Sequence, residues 1–184
     1  MRRSLTLAAL AVACVVVASP AIAAAQGAPK SGFRAEYLSA LADASKKLLQ
    51  LAEATPADKY TWRPGKGVRS VSEVYLHTAE DNFMIPAALG VKTSMAPAKN
   101  FDTQTSDKAK VIAILKQSLD AARDAGMTVK DADLDKELTL YGSKFTQRSA
   151  LLSIINHISE HLGQSIAYAR MNGIVPPWSA KGGM

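Results

Sequence analysis

Residues 146–173 read TQRSALLSIINHISEHLGQSIAYARMNG, and this stretch decides both the fold and where to look for function. It predicts the longest helix of the chain, from about Thr146 to Asn172, stopped by Gly173 with Pro176-Pro177 beyond it. Within it, His157 and His161 form a His-x-x-x-His pair. At 3.6 residues per turn, positions four apart lie about 40° apart around the axis and about 6 Å along it. Both imidazoles can therefore turn toward one ion at about 2.0–2.1 Å.

Working outward, three more helices are expected. Phe33, Tyr37, Leu41, Leu48 and Leu51 recur at helical spacing, and Pro56 ends that run. Ser70-Val71-Ser72-Glu73 has the form of a capping box that opens a second helix running toward Ile85, with Pro86 kinking or fraying its end. A third helix, from Ser106 to about Ala125, places Val111, Ile114, Leu115, Leu119 and Ala122 on one side, and Gly126 is expected to end it in a left-handed conformation. Val91 to Gln104 reads as a polar connection, and Leu134 to Phe145 alternates around Tyr141-Gly142 as an extended stretch. The fold class expected is all-α, a single up-and-down four-helix bundle.

The start of the chain reads as an address. Met1-Arg2-Arg3 is a basic lead, Leu5 to Val17 is apolar, and Pro20 precedes small-residue cleavage sites after Ala23 or Ala25. Thirteen apolar residues are short for a membrane span. Ala11 stands where lipoprotein processing at Cys14 would want leucine. Residues 1–25 are thus expected to be a secretory signal peptide, 26–32 a flexible lead-in, 33–178 the bundle and 179–184 a C-terminal tail. The expected location is periplasmic or secreted, with no stable membrane insertion after cleavage. Losing 1–25 removes two arginines and the only cysteine of the 184-residue chain, leaving a net charge of +4. Without cysteine there is no disulfide scaffold, thiolate metal site, iron–sulfur cluster or cysteine nucleophile. The charge is too mild to call for a polyanionic partner, and no nucleic acid is expected.

The chain has three histidines, and the third, His77, sits mid-helix beside Val74 and Leu76. Imidazoles from two facing helices would make a three-ligand site of the reactive rather than the structural kind; packed core histidines are the plain alternative. No Glu-x-x-His occurs, against a di-iron carboxylate bundle, and there is no His-Glu-x-x-His, Gly-x-Ser-x-Gly or phosphate-binding glycine loop.

Asn156-His157-Ile158-Ser159-Glu160-His161-Leu162-Gly163-Gln164, followed by Tyr168-Ala169-Arg170-Met171-Asn172-Gly173, resembles the C-terminal signature of the DinB/YfiT-like family. Trp62-Arg63-Pro64 and the serine-capped helix with His77 resemble its earlier landmarks, so the likeness spans about Phe33 to Trp178. It implies a four-helix bundle, often dimeric, and a divalent ion held by His77, His157 and His161. Zinc or nickel is the first expectation for that ion, iron or manganese the second. Leu162 departs from the family, many members carrying arginine there, and the export signal departs from its better-known cytoplasmic members.

Around this trio, Gln164 shares the helix face of His157 and His161 and could orient a ligand, or else bond another helix. Gly163 is expected to allow close helix approach, and Glu160 to face solvent. Asp81, four residues after His77, is the candidate to support that ligand, while Glu73 is explained by its cap. Trp62 is expected to close one end of the core. Arg63, Lys66 and Arg69 form a small basic cluster at the start of the second helix, where an anion could bind. Three neutral imidazoles leave an ion its charge, so a bound water or thiol would lose its proton near neutral pH. Hydrolysis and thiol transfer of a small-molecule substrate are both open; a non-catalytic metal- or ligand-binding module and a purely structural bundle are the alternatives.

Overall fold

The structure, a computed structural model, describes residues 27–180. The expected signal peptide and its cleavage points lie outside the described residues. Four long helices make the bundle: α1 (Phe33–Ala54), α2 (Val71–Ala88), α3 (Lys108–Thr128) and α4 (Gln147–Met171), with a hairpin of β1 (Glu137–Leu140) and β2 (Ser143–Thr146) before α4.

Each helix begins and ends for a local reason. α1 buries Tyr37, Leu41, Ala44, Leu48 and Leu51 along one stripe and stops at Thr55, whose extended backbone suits the residue before Pro56. α2 opens on the expected capping box: Ser70 Oγ accepts the Glu73 N–H at 3.4 Å, and the Ser70 N–H donates to the Glu73 carboxylate at 2.8 Å. Pro86 falls in its last turn, where few intrahelical bonds remain to be lost, and the helix continues to Ala88. α4 ends as expected, with Gly173 left-handed at φ 72°.

Gly126 behaves otherwise than expected. α3 runs through it to Thr128, and Gly126 is not among the positive-φ glycines. A Cβ at Gly126 would stand 2.6 Å from two ring atoms of Tyr37 and 2.9 Å from Leu38. The glycine is there so that α1 and α3 can touch, with Tyr37 donating its hydroxyl to the Ala122 carbonyl at 2.7 Å. Gly163 is the converse case, since a Cβ there would meet nothing.

α2 packs chiefly on α3 and α4, and α1 on α4 and α3. Contacts near the helix ends give the directions. Arg34 at the start of α1 bonds the carbonyls of Gly126 and Met127 at the end of α3, so these two are antiparallel. Arg148 at the start of α4 lies over Phe33, so α1 and α4 run together. Tyr168, late in α4, bonds the Arg69 carbonyl just before α2, so α2 opposes α4. The second and third helices therefore run parallel, so the expected all-α four-helix bundle is present but its course is up-down-down-up rather than strictly alternating. The polar connection makes this winding possible: it returns along the bundle, seats Phe101 against Phe83, and brings Asp102 to Arg69.

The stretch around Tyr141-Gly142 is extended, as the alternation suggests. Glu137 to Leu140 pair with Thr146 to Ser143 in antiparallel register, leaving a two-residue turn. Tyr141 and Gly142 both have positive φ, 51° and 74°, which is the type I′ pattern. The hairpin packs on α2 and α4, with Tyr141 of its turn beside Asp81 of α2. Among the described residues, no helix is long and apolar enough to cross a membrane.

Candidate metal centre

α2 and α4 pack on each other, and Val74, Tyr75 and Leu76 of the one and Ile154, Ile158 and Tyr168 of the other belong to the same buried core. His77 leaves α2 from this packed middle, and His157 and His161 leave successive turns of α4. The three rings converge. His157 Nε2 lies 3.2 Å from His77 Nε2 and 2.9 Å from His161 Nε2. The rings stand nearly perpendicular to one another, at 81° to 87°, with centroids 4.4 to 4.9 Å apart. One nitrogen from each lies within 4.8 Å of the others, so the three histidines could hold a metal ion.

The chemistry of this donor set can be tested against an ion. Two nitrogens bound at 2.0–2.1 Å on a tetrahedral ion stand about 3.4 Å apart, close to the separations seen. Three neutral imidazoles cannot satisfy one another through the same atoms, because each has a single ring proton to give. A cation removes that conflict. Burial is the leading cause that lowers the pKa of all three, with His157 brought down to about 4. All three rings are neutral at pH 7, the form in which imidazole binds metal.

Each Nδ1 has its own surroundings. His161 Nδ1 lies 2.8 Å from Gln164 Oε1. Gln164 Nε2 donates to the Tyr168 hydroxyl at 3.0 Å, and that hydroxyl donates to the Arg69 carbonyl at 3.1 Å. Trp62 and Tyr168 make a T-shaped ring pair with centroids 5.4 Å apart, so Trp62 also supports this chain of bonds. The Nδ1 atoms of His77 and His157 are buried without a hydrogen-bond partner. Glu80 Oε2 stands 3.6 Å from the first and Asp81 Oδ2 stands 3.4 Å from the second. Small ring rotations would let both donate, as ligating histidines ordinarily do.

Asp81 thus serves a different histidine from the one its spacing suggested, because it crosses to α4 rather than folding back along α2. Gln164 is where the helix face placed it, on His161. Glu160 is exposed and Glu73 is committed to its cap and to Arg63, at 2.7 Å. The basic cluster is largely neutralised, with Arg63 on Glu73 and Arg69 on Asp102. Leu162 is half-buried and packs against the core.

Sequence reasoning missed Glu80, Tyr168 and Tyr141. Glu80 is three residues after His77, and Tyr168 continues the spacing of His157, His161 and Gln164, so both had a positional signal. Tyr141 had none. It projects from the hairpin turn and is more than half exposed as a residue, while partial desolvation of its phenol, together with the Asp81 carboxylate and Glu80, raises its pKa and keeps it protonated.

The profile of the DinB superfamily matches residues 40–165, more than half of the chain, with His77, His157 and His161 inside the match. The chain belongs to the DinB superfamily. Solved structures agree with that fold. A DinB-like protein from Bacillus cereus aligns with a TM-score of 0.64 at 16% identity, over 77% of this chain and 93% of its own. A DinB-like protein from Bacillus subtilis gives 0.59 at 19%, over 76% and 93%. A protein described as a DinB family member from Exiguobacterium sibiricum gives 0.58 at 19%, over 78% and 93%. No curated protein matches in sequence. The DinB assignment thus carries the bundle, and the chemistry must come from the residues of this chain.

Proposed function

We propose that this protein is an exported DinB-superfamily metalloprotein that holds one divalent ion through His77, His157 and His161 and uses it to activate a water or a thiol toward a small-molecule electrophile. The observation that carries the proposal is the convergence of three neutral Nε2 atoms from two antiparallel helices. Such an ion supplies Lewis acidity, which brings the pKa of water or thiol toward neutrality. Imidazole donors suit zinc or nickel first, with iron or manganese next.

The residues of the chain have separable tasks. The three imidazoles bind. Glu80 and Asp81 are placed to accept the Nδ1 protons of His77 and His157, which would leave the Nε2 lone pairs free. Tyr141 holds its hydroxyl proton beside Asp81 at the hairpin. The buried walls of α2 and α4 limit water on the core side, while His77 and His157 keep partial exposure on the other.

The test is metal content of the untagged protein beside His77→Ala and His161→Ala. About one equivalent in the unaltered protein, lost in both variants, is expected. No metal after reconstitution would refute the proposal. The catalytic half is tested by turnover of an electrophile panel with and without added thiol. Thiol-dependent product means transfer and thiol-independent product means hydrolysis; equal turnover by His157→Ala would refute metal-based catalysis.

A further inference from the structure

We propose that Tyr168 is a positioning residue that fixes the tautomer of His161 through Gln164, keeping the proton on Nδ1 and the Nε2 lone pair facing His77 and His157. The metal reading is needed only for the consequence of this device, not for the device itself.

The argument follows the direction of each hydrogen bond, beginning at an atom with no choice. The Arg69 carbonyl can only accept, so the Tyr168 hydroxyl, 3.1 Å away, donates to it. The phenol has one hydrogen and has now used it. Its oxygen must then accept from Gln164, which fixes the amide with Nε2 toward Tyr168 at 3.0 Å. Oε1 is left facing the other way, 2.8 Å from His161 Nδ1. Oε1 can only accept, so Nδ1 carries the proton. A neutral imidazole has one ring proton, and Nε2 is consequently bare. Flipping the amide would reverse every bond and leave the Arg69 carbonyl without its donor.

The anchor is well held. Tyr168 is only 6% exposed, and its ring packs on Trp62 in a T-shaped pair. Arg69 directly precedes Ser70, the capped start of the helix that carries His77. The chain of bonds therefore ties a histidine of α4 to the beginning of α2. His77 and His157 have no such partner at Nδ1. His161 is the one ring whose proton is placed before any ion arrives.

Imidazole 15N spectra distinguish the two neutral tautomers in the metal-free protein, and zinc affinity can be read on the same samples. In the unaltered protein, His161 should be protonated at Nδ1. Tyr168→Phe removes the donor to Arg69 and lets the amide flip, so His161 should become a mixture of tautomers, with zinc bound about tenfold more weakly. Gln164→Leu removes the acceptor directly and should do the same, independently of any change in Trp62 packing. A carboxylate has no orientation to lose, so Gln164→Glu in the Tyr168→Phe background should restore the Nδ1 proton and most of the affinity. An Nε2-protonated His161 in the unaltered protein, or a pure Nδ1 tautomer in both Tyr168→Phe and Gln164→Leu, would overturn the proposal even if zinc binds. A tautomer that responds as stated in a protein that takes up neither zinc nor nickel, iron or manganese would uphold it and refute the metal reading instead.

Discussion

Acidification gives a quantitative test of how the three imidazoles are housed. Consider metal binding at pH 7.5 and again at pH 5.5. A histidine with the ordinary value of about 6.5 is roughly one-tenth protonated at the upper pH and roughly ten-elevenths at the lower, so proton competition costs about tenfold in affinity. Three ordinary histidines would cost about a thousandfold. Burial brings His157 down to about 4, so this ring stays neutral throughout the interval and contributes essentially nothing to the loss. His77 and His161 are also lowered, chiefly by burial, so each contributes less than the ordinary tenfold. The loss should therefore be smaller than about a hundredfold. Equilibrium competition against a chromophoric chelator, corrected for the chelator's own protonation, reads it. A loss of a thousandfold would show that the rings are hydrated like free histidines, and the packed arrangement between α2 and α4 would be refuted.

The same displacement has a sign for the stability of the metal-free protein. Because the folded pKa of His157 lies below its unfolded value, the unfolded chain binds more protons between about pH 6.5 and pH 4. Stability is full above that window and falls as the pH drops through it, by up to about 3 kcal/mol from this residue. Urea unfolding at pH 7.5 and pH 5 should show the fall, and His157→Asn should show less of it.

Three substitutions test the scaffold. Gly126→Ala gains roughly 1 kcal/mol of helix propensity but drives a methyl into a Tyr37 ring that its own hydroxyl bond holds in place. A net loss of about 1–2 kcal/mol is expected, seen as a melting temperature lower by roughly 3–6 °C; an unchanged or higher value would contradict the close approach. Tyr141→Asn puts a residue favoured by type I′ turns where a tyrosine sits at φ 51°, so the metal-free protein should gain about 0.5–1 kcal/mol in urea unfolding. Ser70→Ala removes half of the capping box that starts α2 and should cost about 1 kcal/mol in the same assay.

What could be read from the sequence was what a single element decides for itself. The box at Ser70 and Glu73, the left-handed stop at Gly173 and the pairing of His157 with His161 each depend on residues a few positions apart. Gly126 was misread because its partner, Tyr37, is distant in sequence, and a glycine near a helix end looks locally like a stop. Phe101 was passed over inside a polar connection because only its contact with Phe83 gives it meaning. The parallel course of α2 and α3 was equally hidden, since helical periodicity carries no direction and only the returning connection sets it.

The site shows the same division more finely. Two of its histidines share a helix, so their nearness follows from helical geometry, and His77 was the only other histidine the chain had to offer. The contacts that cross between the helices follow from one quantity the sequence does not display, the offset between antiparallel α2 and α4. Arg69 meets Tyr168, His77 meets His157 and His161, and Asp81 meets His157. Each advance along α2 is answered by a matching retreat along α4, so one offset places the whole set. That offset is held at one end by the buried phenol of Tyr168 on the Arg69 carbonyl and along its length by Val74, Ile154 and Ile158. A slip by one helical turn would move Asp81 away from His157 and Tyr168 away from Arg69 at once. The packing that builds the core is therefore also what gives His157 its carboxylate and ties the Gln164 chain of bonds to the start of α2.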